Sequence, residues 1–254
     1  LPLPIALLPF IAGNQPLDNA RRIATAIDAA ARSGARVLLT PECCLTGYPS
    51  ASRGDLSGVD WCALAELEEG LLLHAEKRDL LLVLGSAERS DSGITNDAVI
   101  GGAIPPTRYR KRCLTPTDRQ HFIPGSAPVL VGHAGWRMGI AICYELRFAP
   151  VLHDLAAAGA DAFLVIAHMA GPDPDPGTKA EVIPQLVATR AAEWATPLVF
   201  CNTAEPNRYC DSAVIDVRGR RIAAVSEGLI TATLTHRDSF DPWYANLRTE
   251  HLQR

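Results

Sequence analysis

No apolar run in this 254-residue sequence approaches the roughly twenty residues that a membrane helix needs. A clustered basic face is also missing. Lys and Arg total 24 against 28 Asp and Glu, for a net charge of −4. Phosphate recognition depends on such a face, so nucleic acid is excluded as the main partner. The densest basic stretch, residues 108–112, is short. There is no C-x-x-C pair and no pair of histidines at helical spacing, so a structural zinc site is not expected. The seven cysteines, at 43, 44, 62, 113, 143, 201 and 210, are odd in number and show no disulfide-framework spacing. That usage fits a reducing compartment, and a cytoplasmic location is expected. The apolar residues 1–10 lack a positive flank and a small-residue cleavage site, so they read as a buried first strand rather than a signal peptide. No repeat or low-complexity linker divides the chain, and one domain over residues 1–254 is expected.

What is present is 48% apolar sequence, enough for a sizeable core, arranged as strands alternating with helices. Residues 4–10 read as a strand. Asp18 then reads as the cap of a helix whose Ala20, Ile23, Ala24, Ile27 and Ala31 share a face, with Gly34 ending it. Further strands are expected over 36–40, 80–85, 96–101, 107–110, 128–131, 136–142, 163–167, 198–202, 213–216, 221–225 and 230–234. Helices are expected over 61–78, 150–158 and 181–194, with 171–177 a loop. The fold class from this pattern is α/β.

Three segments stand out chemically. In residues 38–50 a buried strand ends at Thr40, Pro41 stops its pairing, and Glu42 emerges at the strand end. An isolated glutamate there would be an ordinary loop residue. In residues 108–116, Lys111 lies in a basic run that, standing alone, would be a charged edge strand. In residues 136–148 an apolar strand delivers Cys143 into a turn. A cysteine at such a place is commonly a small buried hydrophobe, but polar Tyr144, Glu145 and Arg147 come after it, and thiolate chemistry needs a polar surround.

Together the three segments closely resemble the nitrilase superfamily of carbon–nitrogen hydrolases. The signatures stand in order as Pro41-Glu42 with Thr46-Gly47-Tyr48, Tyr109-Arg110-Lys111, and Ile142-Cys143-Tyr144-Glu145 with Arg147-Phe148. Similar family features are Phe122-Ile123-Pro124-Gly125, Arg190-Ala191-Ala192-Glu193, and 212–216 leading to Gly219, so the resemblance covers nearly the whole chain. It implies a four-layer αββα sandwich and a Glu–Lys–Cys triad on Glu42, Lys111 and Cys143. Glu42 would move protons, Cys143 would attack, and Lys111 with the Tyr144 N–H would stabilise the oxyanion. Asp118 stands where many members carry a second glutamate that positions the lysine and substrate, and it is the fourth catalytic candidate. The implied mechanism needs no metal and no organic cofactor, since its nucleophile and acid/base are side chains. The family also implies a homodimer or higher homo-oligomer, with residues 236–254 a C-terminal tail used in subunit contacts.

Substrate-binding candidates placed by the resemblance are Tyr48, Tyr144, Glu145, Arg147, His168 and Met169, with Trp194 beside them. Arg147 has two readings, a structural ion-pair partner or a clamp on a substrate carboxylate. Ala149-Pro150 stands where Pro-Glu is common, which removes one ion-pair partner and favours a freer Arg147. Other departures are Cys113 for a common His, Asp211 for Gly and Trp194 for Asn, and the first strand lacks the usual Ala-Gln. Asp118-Arg119, His168-Met169, Tyr209-Cys210, Leu247-Arg248 and His251-Leu252 resemble the aliphatic amidase branch, although that branch carries an acidic residue at the Arg147 position.

The leading expectation is therefore hydrolysis of a small linear carboxamide to acid and ammonia through a cysteine thioester. The partner is a small-molecule amide, with neither nucleic acid nor membrane involved. An N-carbamoyl amidohydrolase is the nearest rival, and a catalytically inactive binding protein of the same fold is the alternative from a different class. Cys143-Tyr144-Glu145 disfavours a nitrilase, whose sequences usually carry Cys-Trp-Glu.

Overall fold

The alternation of apolar strands and amphipathic helices closes into two six-stranded sheets in a computed structural model that describes residues 1–49, 54–171 and 176–252. The first sheet holds β1 (Leu3–Leu7), β2 (Val37–Leu39), β3 (Leu81–Ser90), β4 (Gly93–Gly102), β5 (Thr107–Arg110) and β12 (Ile230–Leu234), in the order β12-β1-β2-β3-β4-β5. The second holds β6 (Leu130–His133), β7 (Trp136–Ile142), β8 (Ala162–Ile166), β9 (Leu198–Cys201), β10 (Ser212–Ile215) and β11 (Arg221–Val225), in the order β11-β10-β9-β8-β7-β6. The central strands β1, β2 and β3 run parallel, as do β7, β8 and β9. Such strands are covered on both faces, which is why β2 and β8 are uninterrupted apolar runs.

Residues alternate across the first sheet. Leu38, Leu82, Leu84 and Val99 pack with Ile23, Ile27, Leu64 and Leu71 of helices α1 (Pro16–Arg32) and α2 (Trp61–Glu76). Their neighbours Val37, Leu39, Leu81, Val83 and Ile100 join Met138, Ile140, Phe163 and Phe200 of the second sheet in a shared core. Helices α3 (Ala149–Ala157) and α4 (Lys179–Glu193) contribute Val151, Leu155, Ile183 and Val187 to it. Gly139 of β7 lets α3 sit close, since a Cβ there would lie 3.0 Å from Leu155. The layers are thus helix, sheet, sheet and helix, the expected αββα sandwich. Each fully buried Leu or Ile contributes about 1.5–3 kcal/mol.

Several boundaries differ from expectation. α1 starts at Pro16, with Gln15 as its N-cap, so Asp18 lies in the first turn rather than capping it and pairs with Arg21 instead. Proline's fixed φ suits that first helical position. The β3–β4 hairpin runs on to Ser90 and Gly93, well beyond the apolar stretches. The C-terminal segment is not merely a tail, because Pro242–Leu252 forms α5. Its Arg248 is buried against the same chain, donating to Thr196 Oγ1 and to the Ala156 carbonyl at 2.7 Å. Residues 253–254, and residues 172–175 of the expected 171–177 loop, lie outside the described residues. Among the described residues no helix is long and apolar enough to cross a membrane.

Candidate active site

Four strands stop at the same place. β2 ends just before Glu42, β5 ends at Arg110 before Lys111, β7 ends before Cys143, and β8 ends before His168. Strand ends are the natural delivery points for reactive groups, since ladder pairing no longer constrains the chain beyond them. Glu42 and Lys111 are nonetheless almost fully buried, at 1% and 0% exposure.

The turn carrying Glu42 is pressed onto β3. A Cβ on Gly85 would lie 1.9 Å from the Pro41 carbonyl oxygen, so only glycine fits there. The carboxylate is held from three sides. Oε1 accepts from Lys111 Nζ at 2.6 Å and from Asn96 Nδ2 at 2.7 Å, and Oε2 accepts from the His168 backbone N–H at 2.8 Å. Lys111 also donates to Asp118 Oδ2 at 2.8 Å. Asp118 takes the Thr115 N–H at 3.0 Å and the Tyr48 hydroxyl at 2.5 Å. Burial disfavours the Lys111 ammonium, but Glu42, Cys143 and Asp118 outweigh it and hold its pKa well above the ordinary lysine value. Burial likewise opposes the Asp118 charge, and Lys111 with the surrounding donors pulls its pKa below the ordinary value.

Cys143 has φ +54°, a left-handed conformation that costs a non-glycine residue about 1 kcal/mol or more. It opens a short 3-10 turn, Cys143–Arg147, directly after β7. Such a sharp strand-to-turn junction exposes a side chain at the edge of a sheet. Here the sulfur meets the pocket, within the field of the Glu42 carboxylate. Burial first, then the Glu42 charge, pushes the thiol well above its ordinary pKa, while Lys111 pulls the other way. The resting sulfur is therefore a thiol with a carboxylate beside it.

A cavity of about 940 Å³ opens over Cys143, and Tyr48, Tyr144, Arg147, His168 and Met169 line it. His168 stacks on Tyr48 with ring centroids 4.4 Å apart, and burial lowers its pKa to about 4, so the ring is neutral at pH 7. Arg147 is exposed, and no carboxylate among the described residues pairs with it.

Two expectations are corrected. Glu145 does not face the cavity; it is fully buried behind Cys143 and accepts only protein donors. The 3-10 turn rotates it inward while its neighbour Tyr144 points out. Trp194 is also away from the cavity, its ring packed edge-on against His153 and His251 at 5.3 and 6.0 Å. Conversely, sequence reasoning missed Asn96, whose only signal was an amide in a fully buried strand position. It also missed Lys179, Glu205, Asn207 and Tyr209 on the far wall. Lys179 lies 5.1 Å from the Tyr209 ring centroid, with its ammonium 3.3 Å from the hydroxyl.

The family model described as carbon-nitrogen hydrolase matches residues 13–238. An (R)-stereoselective amidase of Pseudomonas sp is 31% identical over 138 residues; the match covers 51% of this chain and 47% of that protein, about half the relative's length. A hydrolase of Pseudomonas protegens, named for the pqqF 5' region, is 31% identical over 217 residues, covering 79% of this chain and 72% of that one. Among solved structures, the NitN amidase from Nesterenkonia sp. AN1 matches with a TM-score of 0.80 at 26% identity, covering 99% of this chain and 98% of that one. A mutant of the Nesterenkonia amidase, 25% identical with a TM-score of 0.78 over 99% of this chain and 98% of that one, shows the Michael addition of acrylamide at its active-site cysteine. A family match over most of the length, on a fold shared from end to end, leads to one conclusion: this chain belongs to the carbon-nitrogen hydrolase family.

Proposed function

We propose that the protein hydrolyses a linear carboxamide to the carboxylic acid and ammonia through a thioester on Cys143. The observation that carries this reading is the Glu42 carboxylate, which touches the Lys111 ammonium at 2.6 Å and whose charge acts on the Cys143 thiol. Because the sulfur rests as a thiol, its proton passes to Glu42 as Sγ bonds to the amide carbon. The oxygen of that carbon becomes negative and is met by the Lys111 ammonium and the Tyr144 N–H. As the C–N bond breaks, Glu42 returns the proton to the departing nitrogen, and ammonia leaves. Water then attacks the thioester, Glu42 takes its proton, and the acid departs as the proton returns to sulfur. Asp118 keeps Lys111 aimed throughout.

A second reading concerns what lies beyond the acyl group. The unpaired Arg147 guanidinium on the cavity wall supports amides or N-carbamoyl compounds that carry a carboxylate at the far end. Ammonia release across a panel of neutral amides, carboxylate-bearing amides and N-carbamoyl amino acids tests both. Turnover of any of them that is lost in Cys143→Ala supports the hydrolase; no ammonia from the whole panel overturns it. Preference for neutral amides overturns only the second reading.

A further inference from the structure

One carboxylate beside the reacting groups has no part in the proposed mechanism. Glu145 is fully buried, and its contacts bridge the two sheets. Oε2 accepts the Ile142 N–H at 2.7 Å, from the residue immediately before Cys143. Oε1 accepts the N–H groups of Arg112 and Cys113 at 2.6 and 3.2 Å, from the two residues immediately after Lys111. The Tyr109 hydroxyl, two residues before Lys111, donates to both oxygens at 2.8 and 2.7 Å. One side chain therefore clasps the second sheet next to the sulfur and the first sheet next to the ammonium.

We propose that Glu145 is a positioning residue that sets the separation of Lys111 and Cys143 and holds Cys143 in its left-handed backbone conformation. The proposal rests on the reading of Cys143 as nucleophile. The Ile142-to-Glu145 bond closes a loop of three residues around Cys143, the one residue of that turn whose φ is positive. The same loop contains Tyr144, so the direction of its N–H is fixed as well. A carboxylate suits the task because all four groups aimed at it donate. A glutamine would have to turn its NH₂ toward either the Ile142 N–H or the Arg112 and Cys113 N–H groups, two donors facing each other.

The expectation for Glu145→Gln is a kcat about a hundredfold lower, with KM within about threefold, measured per active site titrated with a thiol reagent. Glu145→Asp keeps the charge and recovers at least tenfold of that loss. Tyr109→Phe removes a single donor and falls between wild type and Glu145→Gln. The rate of Cys143 alkylation by iodoacetate, which has no amide bond, is measured as a function of pH in each variant. It reads the sulfur without any amide substrate, so its outcome is independent of the hydrolase reading. An alkylation profile displaced in Glu145→Gln and restored in Glu145→Asp supports positioning. If Glu145→Gln lowers only the melting temperature, with kcat per titrated site and the alkylation profile unchanged, Glu145 is a structural residue and the proposal is overturned. Should Glu145→Gln fail to fold, the same two readouts on Tyr109→Phe decide, and wild-type values there contradict the proposal.

Discussion

Asp118 Oδ2 lies 2.8 Å from Lys111 Nζ, although aspartate is one methylene shorter than the glutamate the family pattern places there. Asp118 begins a 3-10 turn and is tied to Thr115 by reciprocal bonds of 2.9 and 3.0 Å, which fix its carboxylate beside the lysine. Lys111 thus sits between two carboxylates, and removing either leaves a buried ammonium with half its compensation. Asp118→Asn is expected to lower kcat/KM by about ten- to a hundredfold, with the larger share in kcat. Steady-state kinetics on one amide checks this; an unchanged kcat would remove Asp118 from the machinery.

Gly85 joins fold to site. Gly85→Ala forces its Cβ into the Pro41 carbonyl, so β3 or the Glu42 turn has to move. Overpacking of this kind costs about 1–3 kcal/mol, and here the strain falls on the residue before Glu42. Urea unfolding should show the loss of stability, and the folded fraction should have reduced activity. Wild-type activity in the folded variant would show that the turn tolerates displacement.

His168 supplies a pH test. Its pKa is about 4 in the fold against an ordinary 6.5, so the unfolded chain binds the extra proton first. The stability from keeping the ring neutral is fully present above pH 6.5 and is lost as pH falls toward 4. His168→Phe retains a ring against Tyr48 and removes this ionisation. Between pH 7 and 4.5 the wild type should lose on the order of 1–3 kcal/mol more than the variant. Parallel loss in both proteins would place the acid sensitivity elsewhere.

Arg147→Ala separates the two substrate readings. A charge-assisted contact is worth about 1.5–3 kcal/mol, so KM for a carboxylate-bearing amide should rise at least about tenfold. KM for a neutral amide of the same length should change little. Equal effects on both would exclude a carboxylate clamp.

Much of this site was legible because Glu42 and Cys143 each come just after an apolar strand, and because all three of Glu42, Lys111 and Cys143 lie within short local patterns. What local pattern does not carry is direction and distance. Glu145 sits directly after the cavity-facing Tyr144, and only the 3-10 geometry of Cys143–Arg147 turns it inward. Asn96 reaches Glu42 across 54 positions, through the pairing of β4 with its neighbours, which no window along the chain reveals. Lys179 and Tyr209 meet because α4 and the segment before β10 converge on one wall. In the fold, the hairpin extension was hidden by polar Glu88, Arg89 and Ser90, whose pairing relies on the backbone rather than on burial. α5 was hidden because only Arg248 of its residues is buried, leaving no apolar stripe to read.

The central claim is that the sulfur of Cys143 carries the acyl group. Intact-protein mass spectrometry on enzyme acid-quenched during turnover of a linear amide tests it most directly, with peptide mapping to locate the adduct. The expected result is an acyl-sized mass gain on Cys143 that decays once substrate is exhausted and is absent in Cys143→Ala. Ammonia release by Cys143→Ala at the wild-type rate, or an adduct mapped to Cys113 or another cysteine, would contradict it.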